Sequence, residues 1–307
     1  MSTLVDAGVP PPRAEPMERS EIAQRLDNCA LLPSLSSINS VLRELLHAEQ
    51  RFTAQIADVV RRDPSMTTRM LRLVNSIYYG LSSPVTSIEE AVFYLGIRQV
   101  RQLAMSTPII EDLQKLSSQN PFPWREFWQH CIATAILTRE ITGATRAVQD
   151  EVEYVAGLLH DVGRIVMAAE FPNEFAVVCN RAKTWERDLR ELEVEELGMD
   201  HCELGAIYLK HHRLPDVIAE AAHYHPEPER ANHHAQIVAA VQLANYMVRL
   251  NGIGDSGNPA PVTEEDWFQL TGWDILFPGQ KDEERLLLRA SLKHSMEQLP
   301  HILDAII

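Results

Sequence analysis

The chain reads as an all-α protein, and three observations carry that reading. Apolar residues recur at helical spacing in one segment after another, several segments open on capping signatures, and no segment of alternating apolar and polar residues announces a strand. Residues 1–18 hold Pro10-Pro11-Pro12 and few large apolar groups, so they are expected to be a disordered tail. Residues 19–116 are expected to form an N-terminal helical subdomain. Within it, Ser87-Ile88-Glu89-Glu90 reads as a capping box, with Glu90 reaching back to the serine and Gly96 stopping the helix.

Ser117 to Pro123 reads as a loop, after which residues 117–250 form the expected helical core. Trp124, Phe127, Trp128, Cys131, Ile132 and Ala135 mark one face of a helix that also carries His130. Asp150-Glu151-Val152-Glu153 opens the next helix, whose apolar spacing continues through Val155, Ala156 and Leu159. Asp200 caps another helix, and Pro215 suits the first position of a helix ending near Pro226. Ile237, Ala240, Val241, Ala244 and Val248 form a further stripe, and a C-terminal extension, residues 251–307, opens its helices at Thr263-Glu264-Glu265-Asp266. The acidic run from Glu186 to Glu196 reads as a solvated helix face.

Composition narrows the function. With 307 residues and 45% hydrophobic content there is ample core, and no apolar run approaches the roughly 20 residues that cross a bilayer. Cys29, Cys131, Cys179 and Cys202 have no CxxC spacing, which predicts reduced thiols and a cytoplasmic location. A formal charge of −15 argues against nucleic-acid binding in general. One stretch departs from it: between Arg61 and Arg101, six arginines face three acids, a net of +3. Ile88 to Met105 fits a helix-turn-helix with Arg98 and Arg101 as candidate binding residues, but two packed helices joined at a glycine, with Val100, Leu103 and Ala104 facing a core, fit better. The same arginines suit an acidic or phosphorylated partner.

The chemistry concentrates in Gly157-Leu158-Leu159-His160-Asp161-Val162-Gly163-Arg164, where a histidine–aspartate pair ends an apolar helix. An imidazole and a carboxylate at the edge of a core are costly unless they are paired or hold a metal. His130 precedes the pair and Asn245 borders a later apolar stripe, so these four groups form the candidate metal set, with His201, His223 and His225 as further candidates. Bundle interiors are where helical metal sites form. The bland alternatives are a hydrogen-bonded clasp for His160 and Asp161, a capping turn for His201, and dipole-facing helix-end histidines for His223 and His225. His211, His212, His233 and His234 read as surface groups, and the cysteines beside His130 and His201 as core fillers.

The order His130, His160-Asp161, then Leu243-Ala244-Asn245 resembles the ligand order of the HD superfamily of metal-dependent phosphohydrolases. The HDOD branch, the HD-related output domain, is the nearer match. Leu32-Pro33-Ser34-Leu35, Asp63-Pro64-Ser65-Met66-Thr67 leading into Arg72-Leu73-Val74-Asn75-Ser76, Ser87 to Gly96, and Leu204-Gly205-Ala206 through Leu214-Pro215 all resemble it in order, over residues 25 to 250. The resemblance implies a bacterial signal-transduction output module with a signalling protein as partner and a divalent iron, manganese or zinc as cofactor; a homo-oligomer is compatible with it. Asn245 stands where catalytic HD proteins carry an aspartate, Arg164 replaces a lysine common in the HD-GYP relatives, and their Gly-Tyr-Pro signature is missing. These departures imply loss of phosphodiesterase activity. The alternative implied by the same resemblance is a metal-dependent phosphohydrolase acting on a nucleotide or cyclic dinucleotide.

Overall fold

The computed structural model describes residues 16–28, 60, 64–76, 79–81, 83–97, 99–100, 103, 122–145, 152–185, 187–279 and 282–306. Among them every regular element is helical: α1 Arg19–Asn28, α2 Pro64–Val74, α3 Trp124–Thr145, α4 Val152–Leu159, α5 Val162–Glu170, α6 Pro172–Trp185, α7 Leu189–Leu197, α8 His201–His211, α9 Asp216–Tyr224, a 3₁₀ turn at Pro228–Arg230, α10 Ala235–Leu250, α11 Glu264–Gln269, α12 Gly272–Leu276 and α13 Asp282–Ile306. The all-α reading holds.

The centre is α3, which packs along α4 and α10. The face marked by Trp124, Phe127, Trp128, Cys131, Ile132 and Ala135 is buried, and so are Thr134, Leu137, Thr138, Ile141 and Thr142, so α3 is covered on most sides. Around it α8 lies against both α5 and α9, and α9 against α4. One continuous apolar core runs from Met17 to Leu303 through all three expected segments. The reason is α13, which returns to pack on both α2 and α3, with Arg72 Nη2 donating to the Asp304 carbonyl at 2.8 Å. The C-terminal extension therefore shares that core, contributing Trp267, Trp273, Leu299 and Leu303 to it. Met17 is buried, its backbone seated against Gly198.

The predicted caps largely form. Asp200 accepts from the Glu203 amide at 2.9 Å, and Thr263 and Asp266 make a reciprocal capping box. Pro215 is the cap rather than the first residue of α9. At residue 87 the serine accepts weakly from the Glu90 amide, but its hydroxyl donates to Glu89, not Glu90, at 3.0 Å. Gly96 takes the left-handed conformation, φ +73°, common at helix ends, although helical residues continue at Ile97 and at residues 99–100.

Candidate metal centre

The turn between α4 and α5 carries His160 and Asp161 to the middle of the core, where both are essentially without solvent exposure. Asp161 is the hub. His160 Nε2 lies 3.5 Å from its Oδ2, while His201 Nε2 and His225 Nε2 lie 3.2 and 3.8 Å from its Oδ1. His130, on α3, brings its ring centroid to 5.4 Å from that of His160. Ligand atoms within 4.8 Å of one another define two neighbouring groups with no residue in common: His130, His160 and Asp161, and His201, Cys202 and His225.

Backbone and side-chain partners decide how the rings face. His160 Nδ1 is 2.7 Å from the Gly157 carbonyl, and His225 Nδ1 is 3.2 Å from the carbonyls of Ala221 and Ala222. A carbonyl only accepts, so in both rings Nδ1 carries the proton and Nε2 presents a lone pair toward Asp161. His201 Nδ1 donates to Glu193 Oε2 at 2.6 Å. A lone pair aimed at a carboxylate is repulsive unless a cation or proton lies between them. Nδ1 anchored on a carbonyl or carboxylate is also the outer-shell pattern that orients metal-binding histidines. The nitrogens of His130 and Nε2 of His160 are buried without a hydrogen-bond partner. By donor chemistry and by these orphaned atoms, the residues fit a divalent ion that His130, His160, Asp161, His201 and His225 could hold.

The electrostatics agree for His130, His160, His225 and Asp161. Burial holds His130 and His225 well below the usual histidine range and lowers His160, so these rings are neutral, the form that can ligate a metal. Burial works against ionising Asp161, but Arg164 and His160, joined by His201, keep its carboxyl well below the usual range. His201 moves the other way: burial opposes its charge, but Cys202 and Glu193, helped by Asp161, raise it well above the usual value. Burial pushes the Cys131 and Cys202 thiols up and Cys179 to about 12.

These directions make a stability prediction for chelator-treated protein. His130, His160 and His225 take up protons in the unfolded chain below about pH 6.5 while the folded rings stay neutral, so each costs stability as pH falls, by up to about 1.4 kcal/mol per pH unit. His201, raised when folded, acts oppositely: its contribution is complete below about pH 6.5 and fades as pH rises through its folded value. Three groups outweigh one, so Tm should drop steadily from about pH 7 to about pH 5. A flat or rising Tm in differential scanning calorimetry would contradict neutral rings in the core.

The structure gathers most of the sequence-predicted set. His130, His160, Asp161, His201 and His225 converge. Asn245, on α10, lines the adjoining cavity with its Oδ1 buried and unpartnered. His223 is not brought in: it stacks on Tyr224 with ring centroids 4.1 Å apart. Positions two apart on a helix point about 200° apart, so His223 and His225 could not both face inward. Arg98 and Arg101, the candidate binding residues of the helix-turn-helix reading, lie outside the described residues.

Glu193 corrects the reading of the acidic run. It and Glu196 are buried, and Glu193 holds His201 through both the ring and the backbone amide. The signal was available: Leu189, Leu192, Glu193, Glu196 and Leu197 occupy one helical stripe, so Glu193 stands on the apolar face. Two glycines make room. A Cβ on Gly163 would strike the His201 backbone and come within 2.8 Å of the Gly205 amide nitrogen, so α5 and α8 touch only because neither has a side chain there. Gly254, at φ +65°, lets the loop after α10 lie on the backbone beside His130.

Beside Asp161 opens a cavity of about 190 Å³. Its walls include Arg164, whose Nε is 3.6 Å from Asp161 Oδ2, and Arg190, Asn245 and Arg249.

A helical bundle with a buried histidine–aspartate cluster at its helix junctions defines an HD-type helical domain. Its family follows from comparison: the family model described as HDOD domain matches residues 32–228, and the chain belongs to that family. A crystal structure of an HDOD domain protein of unknown function from Geobacter sulfurreducens is 26% identical, with TM-score 0.77, covering 94% of this chain and 98% of that one. A protein from Marinobacter aquaeolei VT8, provisionally assigned to signal transduction, shares the fold at TM-score 0.68 and 20% identity, over 94% of this chain and 64% of that one. Among curated proteins, an uncharacterized protein of Treponema pallidum (strain Nichols) is 26% identical over 239 residues, 75% of this chain, which spans only 44% of that protein. No helix among the described residues is long and apolar enough to cross a membrane.

Proposed function

We propose that this chain is an HDOD regulatory module of bacterial signal transduction whose core holds a divalent cation and which passes its signal on through contact with a signalling protein. The observation that carries the metal is the convergence of His160, His201 and His225 Nε2 on Asp161 with every Nδ1 anchored. His130, His160, Asp161, His201 and His225 would be the holders, with Asn245 at the rim of the cavity. Iron, manganese and zinc all suit imidazole-rich donors. A bound cation of this kind lowers the pKa of a coordinated water.

Two features favour regulation over hydrolysis. Asp161 is the one carboxylate in the two ligand groups, and it is already shared with Arg164. Asn245 contributes a neutral amide where a second carboxylate would balance a dication. The second reading, a metal-dependent phosphohydrolase, draws on the cavity, which opens directly beside Asp161 and is walled by arginines.

One experiment separates them. Protein purified without chelator should contain metal by elemental analysis, and His160→Ala should lose most of it. Cyclic-di-GMP and generic phosphodiesters should remain uncut with added manganese or iron. Turnover abolished by His160→Ala would replace the regulatory reading with the hydrolytic one, and metal content unchanged in that variant would remove the centre itself.

A further inference from the structure

We infer that the cavity beside Asp161 is a binding site for a small oxyanion, a phosphate-sized group gripped between the guanidinium groups of Arg164 on α5 and Arg249 on α10. Arg164 is only 3% exposed, yet its Nη1 has no acceptor and its Nε reaches no nearer to Asp161 than 3.6 Å. A guanidinium carries five donors in a planar fork, and burying them unused is costly. Nη1 lies against Gly257, where an added Cβ would stand 3.2 Å from it, so backbone without a side chain, and no acceptor, borders that nitrogen. Arg249 spends one donor on the Ala260 carbonyl at 2.8 Å and has no carboxylate at ion-pair distance among the described residues.

The neighbouring acids are committed elsewhere. Asp188 accepts from the Arg190 amide and from Asn258 Nδ2, Arg190 is paired with Asp200 at 2.7 Å, and Asp161 serves three imidazoles. Arg164 thus shares Asp161 with three imidazoles while Arg249 has no carboxylate of its own among the described residues, and the shortfall registers on Arg249, which burial and the Arg164 charge both push below its usual range. An oxyanion between them would satisfy both forks, the geometry in which arginine binds phosphate best.

Size limits the ligand. At about 190 Å³ the cavity falls below the roughly 300 Å³ at which drug-sized sites begin, so it suits free phosphate or the phosphoryl end of a compact metabolite, not a cyclic dinucleotide. The inference goes beyond the regulatory reading by giving the module a ligand of its own, and it does not need the metal centre to be filled.

The test is calorimetric titration of the full chain, after chelator treatment and again with manganese, using inorganic phosphate and glycerol phosphate, with chloride at matched ionic strength as the blank. Saturable binding is expected in both preparations, and Arg249→Gln should weaken it tenfold or more. Tighter binding of glycerol phosphate identifies a phosphorylated metabolite as the source, and tighter binding of inorganic phosphate identifies the free ion; either supports the site. Arg249→Lys, keeping charge without the fork, should fall between wild type and Arg249→Gln. If Arg249→Gln does not fold, displacement of phosphate from wild type by sulfate but not chloride supports the site in its place. Absence of saturable binding to wild type, or equal affinity in a folded Arg249→Gln, overturns the inference.

Discussion

Asp161→Ala should lower Tm by about 10 °C and remove metal binding together. The magnitude comes from the company the carboxylate keeps. Arg164, essentially buried, draws its nearest counter-charge from Asp161, and His201 is held in a raised protonation state partly by it. Removing one partner from a buried pair costs roughly 3–5 kcal/mol, because the stranded charge has lost both water and its counterion. In a chain of this size each kcal/mol moves Tm by about 2–4 °C. Thermal unfolding in chelator isolates this structural share, and repeating it with manganese adds the stabilisation that only the wild type can draw from bound metal. The paired variant Asp161→Leu with Arg164→Met, which removes both charges, should recover part of the loss. If the double variant is as unstable as the sum of the two single variants, the pair is not what holds this region together.

Gly163→Ala should destabilise by about 3 kcal/mol or more, at or beyond the upper end of ordinary overpacking. The sign is the informative part. In an open helix interior, glycine to alanine stabilises by roughly 0.5–1 kcal/mol through propensity alone. Here the added methyl would press on the His201 backbone, 2.7 Å from its carbonyl carbon, and backbone yields less readily than a side-chain tip. The α5–α8 crossing would open, drawing His201 away from Asp161, so metal content should fall as well. Gly143→Ala, on exposed helix with nothing within 4 Å of the new methyl, is the control and should be neutral or slightly stabilising. Denaturant unfolding of the two variants reads both signs, and an equal response at the two positions would mean the α5–α8 contact is not tight.

Much of the molecule is written locally. Helices announce themselves through period and caps because those signals act within three or four residues: Asp200 onto the Glu203 amide, Thr263 onto Asp266, the Ile237-to-Val248 stripe against the core. His160-Asp161 was legible because two polar groups at the end of an apolar helix violate the pattern around them. Glu193 was hidden by the opposite circumstance, an acid among acids, distinguished only by lying on the same helical stripe as Leu189 and Leu197.

The all-α class, the helix starts and the central histidine–aspartate pair are readable along the chain because all are products of short-range geometry. Which of the remaining histidines reach Asp161 depends on how the helices pack. That choice depends on ring tautomers pinned by Gly157, Ala221 and Glu193, and on two glycines that let α5 and α8 touch. The same packing places Arg164 and Arg249, 85 positions apart in the chain, on one cavity. Such convergence depends on how helices cross, and crossing is settled by packing over the whole core rather than by any run of neighbouring residues.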